Sequence, residues 1–202
     1  MSKKYELVED DFIMYKGRKL YRIKALKKFN AGGSYTVHRG DIGGYVESYH
    51  NLSQEGYCWI YDDAKVYNNA KVKDNAEVVR KAEVFGNAQV KDYAVIGGRA
   101  EVFGNAVIKG KVFDYSQVYG NARVSNAVFI LDHAKIYGNA RLREDARVKD
   151  YAEIYGNTVA KSNVRIGGYA KVYDNARVID CASVVGESEV YGNIVICEDY
   201  GE

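Results

Sequence analysis

Proline is absent from the 202 residues, and tryptophan (1), methionine (2), cysteine (3) and histidine (3) nearly so. Without proline every backbone N–H remains free to join a ladder, so no position is excluded from a central strand. Cys58, Cys181 and Cys197 show neither metal-ligand nor disulfide spacing, which excludes a cysteine-built scaffold and makes a reducing cytoplasm the expected location. No apolar run approaches the ~20 residues of a membrane span, and the start MSKKYELVEDDF has no apolar signal core. No membrane partner is expected. Excess charge of one sign is missing too: 29 Lys plus Arg stand against 27 Asp plus Glu, so global polyanion affinity is excluded as the signal. Any electrostatic function must lie in local pattern.

What is present is 20 glycines, 19 tyrosines and an uneven charge. Residues 1–45 hold 10 basic and 5 acidic side chains, leaving 19 and 22 for the remainder, so the front is +5 and the rest −3. Met14 to Leu26 reads as a hairpin around Lys16-Gly17-Arg18, whereas everything after about residue 58 is periodic. The expected organisation is a basic β-hairpin cap over 1–45, a connection and first partial coil over 46–59, a repeat region over 60–197 and a tail over 198–202.

From Ile60 a branched apolar residue recurs every six positions to Ile108, resumes four residues later at Val112, and holds step six to Ile196, giving 24 rungs. Alanine stands two residues before most of them, as at Ala64, Ala70, Ala76, Ala140 and Ala146. Step six spreads apolar residues around a helix, which excludes an amphipathic one. Alanine and the aliphatic residue share one face of a strand, but the intervening Gly-Asn or Asp-Asn pairs must bend the chain. Three hexapeptides then close a triangular coil, and eight coils stack at ~4.8 Å. Val118-Tyr119-Gly120-Asn121-Ala122-Arg123 resembles the hexapeptide repeat of left-handed parallel β-helices, and Gly40 to Glu47, Asn51-Leu52-Ser53 and Gly56 to Ile60 look like the YdcK-like group of bacteria and phages. The fold class implied is all-β, a single-stranded left-handed parallel β-helix of about eight coils with a small N-terminal β cap. Handedness comes from the resemblance, as does the expectation of trimers packed side by side and of a phage accessory or anti-defence role.

Sorting outward residues at period 18 puts Tyr67, Phe85, Phe103, Tyr119, Tyr137, Tyr155, Tyr173 and Tyr191 on one face, the candidate interface of a homo-oligomer, dimer or trimer. Eight asparagines from Asn69 to Asn193 end the same rungs, where tolerance of left-handed backbone and stacked amides give them a structural role. A second face carries Lys71, Lys73, Lys91, Lys109, Arg123, Arg141, Arg143, Lys161 and Arg177, candidates for a protein, nucleotide or polyanion partner. Corner acids Asp74, Asp92, Glu144, Asp145, Asp180, Glu198 and Asp199 partly neutralise it. The third face, Tyr61, Val79, Gly97, Phe113, Leu131, Lys149, Gly167 and Val185, gives no functional signal.

Three readings follow: a non-enzymatic binding and assembly solenoid, a hexapeptide-repeat acyltransferase, and a nucleotide- or nucleic-acid-sequestering module. Acyl transfer would need a histidine base. His38 lies in the irregular front, His50 at the entry to the repeats and His133 in a corner, and no long loop interrupts the rungs to shape an acyl-donor site. No catalytic residue, metal ligand or cofactor is assigned. Asp62, Asp114, Asp132 and Asp150 recur at corners of the third face, and Gly43-Gly44, Gly97-Gly98 and Gly167-Gly168 precede no helix that could complete a phosphate site. Binding is the favoured class.

Overall fold

A computed structural model describes residues 3–32 and 35–197. The expected tail, with Glu198 and Asp199, lies outside the described residues. Among those described there is no helix. The chain is a parallel β-solenoid of about eight turns, preceded by antiparallel strands.

Each turn contributes one two-residue strand to each of three sheets, and each strand pairs in parallel with the strand of the same sheet one turn later. On one sheet Lys135-Ile136 lies beside Glu153-Ile154, and the ladder bonds Tyr137 N–H to the Ile154 carbonyl at 2.9 Å. The inward residues are the expected ones: Ala140, Leu142, Ala146 and Val148 are fully buried, and one continuous core runs through the solenoid. Hexapeptides fold this way because alanine narrows the chain where it leaves a corner, while the aliphatic residue reaches the axis. Ala140→Leu should therefore overpack a corner and cost about 1–3 kcal/mol, whereas outward Lys149→Ala should be near neutral in denaturant unfolding. Equal tolerance would contradict the inward assignment.

The short step after Ile108 is absorbed within a turn. Gly110 is buried, and a Cβ there would come within 2.7 Å of the Ser125 and Val128 carbonyl oxygens, so the trimmed corner packs directly on the next coil. Register continues across it, from Val95-Ile96 to Lys111-Val112 and on to Phe129-Ile130.

One expectation about the corners is corrected. The ladder asparagines do not take the left-handed conformation; the residue before each does, as Gly120 (φ +69°), Gly138 (+66°), Gly156 (+70°) and Asp174 (+59°). The asparagine follows the reversal and is free to turn its amide along the axis, where Asn121 Nδ2 donates to Asn139 Oδ1 at 3.1 Å and Asn139 to Asn157 at 3.0 Å.

The front is built from β1 (Tyr5–Tyr15), β2 (Arg18–Ala25), β3 (Phe29–Ala31), β4 (Tyr35–Val37) and β5 (Ile42–Val46). Strands β1 and β2 form the hairpin, tightened by positive φ at Lys16 and Gly17, and β2 pairs antiparallel with β5, which in turn pairs parallel with Lys65-Val66. The hairpin begins at Tyr5 rather than Met14, because the acidic run Glu9 to Asp11 crosses an irregularity in the pairing and hides the alternation. Val46, Leu52 and Ile60 then stand at rung positions of the three sheets, so the segment 46–59 forms the first turn itself. Tyr5, Ile23, Phe29 and Val37 close this end of the core over Leu52 and Trp59. Lys4, fully buried here, donates from Nζ to the Cys58 carbonyl at 3.0 Å, and burial pulls its ammonium pKa down.

Candidate functional site

The eight predicted aromatics of the first face come together as a single stack. Ring centroids are 4.7 to 5.4 Å apart along the whole series from Tyr67 to Tyr191, with planes within 15° of parallel. The coil repeat imposes this spacing on side chains that leave consecutive strands at the same register. Ring faces are therefore occupied by neighbours, and the edges point outward. Tyr137 and Tyr173 donate their hydroxyls to Glu153 and Glu189, each at 3.2 Å. Burial, and then the Glu153 charge, push the Tyr137 phenol pKa up.

The stack is not uniformly open. Tyr67 is 3% exposed because the hairpin tip lies over it: Tyr15 meets its ring edge-on at 6.0 Å, and Lys16 Nζ reaches Glu83 at 3.0 Å. Burial opposes ionisation of Glu83, but hydrogen bonds from Tyr15, Lys16 and Tyr67 prevail and hold its carboxyl below the usual range. At the other end Tyr191 is 51% exposed. The hairpin covers the N-terminal end of this face, at Tyr67 and Phe85, and the stack from Phe103 to Tyr191 is half-buried to exposed.

Two columns beside the stack escaped sequence reasoning. The residue before each buried aliphatic runs Lys135, Glu153, Lys171, Glu189, with Lys135 3.8 Å from Glu153 and Lys171 3.7 Å from Glu189. At the adjoining corner Tyr115, His133, Tyr151 and Tyr169 form a second aromatic stack, centroids 4.8 to 5.1 Å apart. Extending the period-18 sorting to the third residue before each aliphatic would have found it. The channel lined by this corner column and the charged column has a volume of about 500 Å³.

On the second face, Lys109 pairs with Asp92 at 3.0 Å, and among the described residues the other predicted cations have no salt bridge. Arg123 lies in register beside Arg141, while Val159 separates Arg141 from Arg177. Arg143 and Lys161, which follow the inward residues of one sheet on adjacent turns, complete a C-terminal cluster; Lys73, Lys91 and Lys109 form an N-terminal one.

The third face departs from the expectation of no signal. It carries a groove of about 620 Å³ lined by Tyr35, Tyr61, Val79, Phe113 and Leu131, into which β4 leans so that Tyr35 meets Tyr61 edge-on at 6.3 Å. Gly97 keeps the groove open, since a Cβ there would lie 2.7 Å from the Phe113 ring. Glu77 is buried under Gly32, and burial raises its carboxyl pKa. Further along, Arg147 and Arg165 neighbour each other in register beside Lys149. The front's contribution to this groove comes from residues distant in sequence, which period-18 sorting cannot reach.

The corner aspartates are engaged with backbone: Asp132 accepts from the Asp150 N–H at 3.0 Å and Asp150 from the Gly168 N–H at 2.9 Å. Among the described residues no group of three or more His, Cys, Asp and Glu could hold a metal ion. His133 is sandwiched between Tyr115 and Tyr151, His38 lies 3.8 Å from Asp41, and His50 occupies the turn entering the first coil. Cys58 is buried in an alanine position, which raises its thiol pKa, while Cys181 stands at a corner and Cys197 is exposed. Residues 116–130 match the family model described as the YdcK Beta solenoid repeat. No curated protein matches the chain.

Proposed function

We propose that this β-solenoid, with its YdcK-type repeat, is a non-enzymatic scaffold that self-associates through the aromatic face and holds an acidic protein surface against the basic one. The observation that carries the second half is the Arg123–Arg141 pair. Like charges directly opposite each other destabilise a sheet, and no acid occupies a strand position between them. An anionic partner relieves that repulsion. The stacked aromatics support the first half, because they give a rigid, mostly apolar surface whose ordering cost is met on folding.

A labelled polyglutamate peptide and a single-stranded oligonucleotide discriminate the partners. Polyglutamate should bind at low salt and weaken at least about tenfold between about 50 and 200 mM, and joint Arg141→Glu, Arg143→Glu and Lys161→Glu should abolish binding. Tighter, reversal-sensitive binding of the oligonucleotide would favour nucleic-acid sequestration instead. No binding of either at low salt would overturn the anionic-partner reading.

A further inference from the structure

We infer that the aromatic face pairs with a second copy of this chain in antiparallel orientation, about a two-fold axis passing between the turns of Tyr155 and Tyr173. This rests on the self-association reading and adds its geometry.

When two flat sheet faces meet about an in-plane axis perpendicular to the solenoid, each column faces itself read backwards. The charged column reads Lys135, Glu153, Lys171, Glu189 at successive turns. Reversed about its centre, Lys135 faces the second copy's Glu189, and Glu153 faces its Lys171. Every charge meets its opposite. The corner column obeys the same symmetry: Tyr151 faces Tyr169, and exposed His133 faces exposed Glu187. The stack pairs Tyr155 with Tyr173, and the ladder pairs Asn157 with Asn175. Four adjacent columns are thus complementary in one register, over the channel lined by the corner column and the charged column.

Other arrangements fail on the same charges. A two-fold axis parallel to the solenoid and running along the charged column sets each lysine against its own copy. Moving the centre onto a turn sets Glu153 against Glu153 or Lys171 against Lys171. Shifting by one turn toward the N-terminus brings Glu101 against Glu189, and further shifts run into the hairpin tip, whose Lys16 already holds Glu83. Like-charge contacts of this kind are what exclude wrong partners and registers. The matched patch spans four turns, about 19 Å, which is at the small end of specific interfaces, so the dimer should exchange readily and need protein on the order of 100 μM.

Sedimentation equilibrium of the full chain at about 100 μM in low salt tests this, with circular dichroism confirming the fold of each variant. The wild type should be dimeric, Lys171→Glu monomeric, and the double variant Glu153→Lys, Lys171→Glu dimeric again, because the swap restores both facing pairs. A wild-type dimer that ignores Lys171→Glu, or that the double swap does not rescue, overturns this register and leaves self-association standing. A trimer does the same. A wild type that stays monomeric removes both.

Discussion

Trp59→Ala is expected to lower the unfolding free energy by about 3–5 kcal/mol. Trp59 precedes Ile60 on the first turn, at a position that faces outward in every later coil. Here it is 1% exposed, because the front folds over it: Phe29 meets its ring at 5.5 Å and Tyr5 at 6.3 Å, both edge-on. The indole therefore joins cap to solenoid, and its removal leaves a cavity shared by both that neither can close alone. Denaturant unfolding should show the loss as a fall in midpoint. A change under about 1 kcal/mol would mean that the cap is held by its β5 pairing and not by this contact.

Gly138→Val should cost about 3 kcal/mol through two separate causes. At φ +66° a β-branched side chain is disfavoured whatever the space around it, and the added Cβ would also lie 2.8 Å from the Gly156 backbone nitrogen. Gly138→Asn should cost distinctly less, since Asn68 holds the equivalent corner at φ +58°. Thermal unfolding of the two variants separates backbone conformation from crowding: equal losses would assign the whole effect to the close approach of the coils.

The solenoid was legible because its energetics are local and repeated. An inward alanine and aliphatic residue in each hexapeptide reveal the core, and period 18 reveals the Tyr119 to Tyr191 stack before any coordinates. The same sorting located Arg123, Arg141 and Arg143. It failed where spacing is irregular or where contacts join distant segments. The first turn, with rungs at Val46, Leu52 and Ile60, steps by six and then eight and hides in the connection. The clasp of Tyr15 and Lys16 on Tyr67 and Glu83 spans more than fifty residues, and the third-face groove depends on Tyr35 arriving from β4. The asparagine ladder was read correctly as structural but with the wrong residue in the left-handed conformation, because Gly and Asn both tolerate it and only the backbone decides which one turns.

The proposal that the aromatic face joins two copies of this chain is tested most directly by the mass of the wild-type chain in solution. Sedimentation equilibrium at low salt should show the weight rising with concentration from the 22.6 kDa of one chain toward about 45 kDa. A constant 22.6 kDa at every concentration would contradict it.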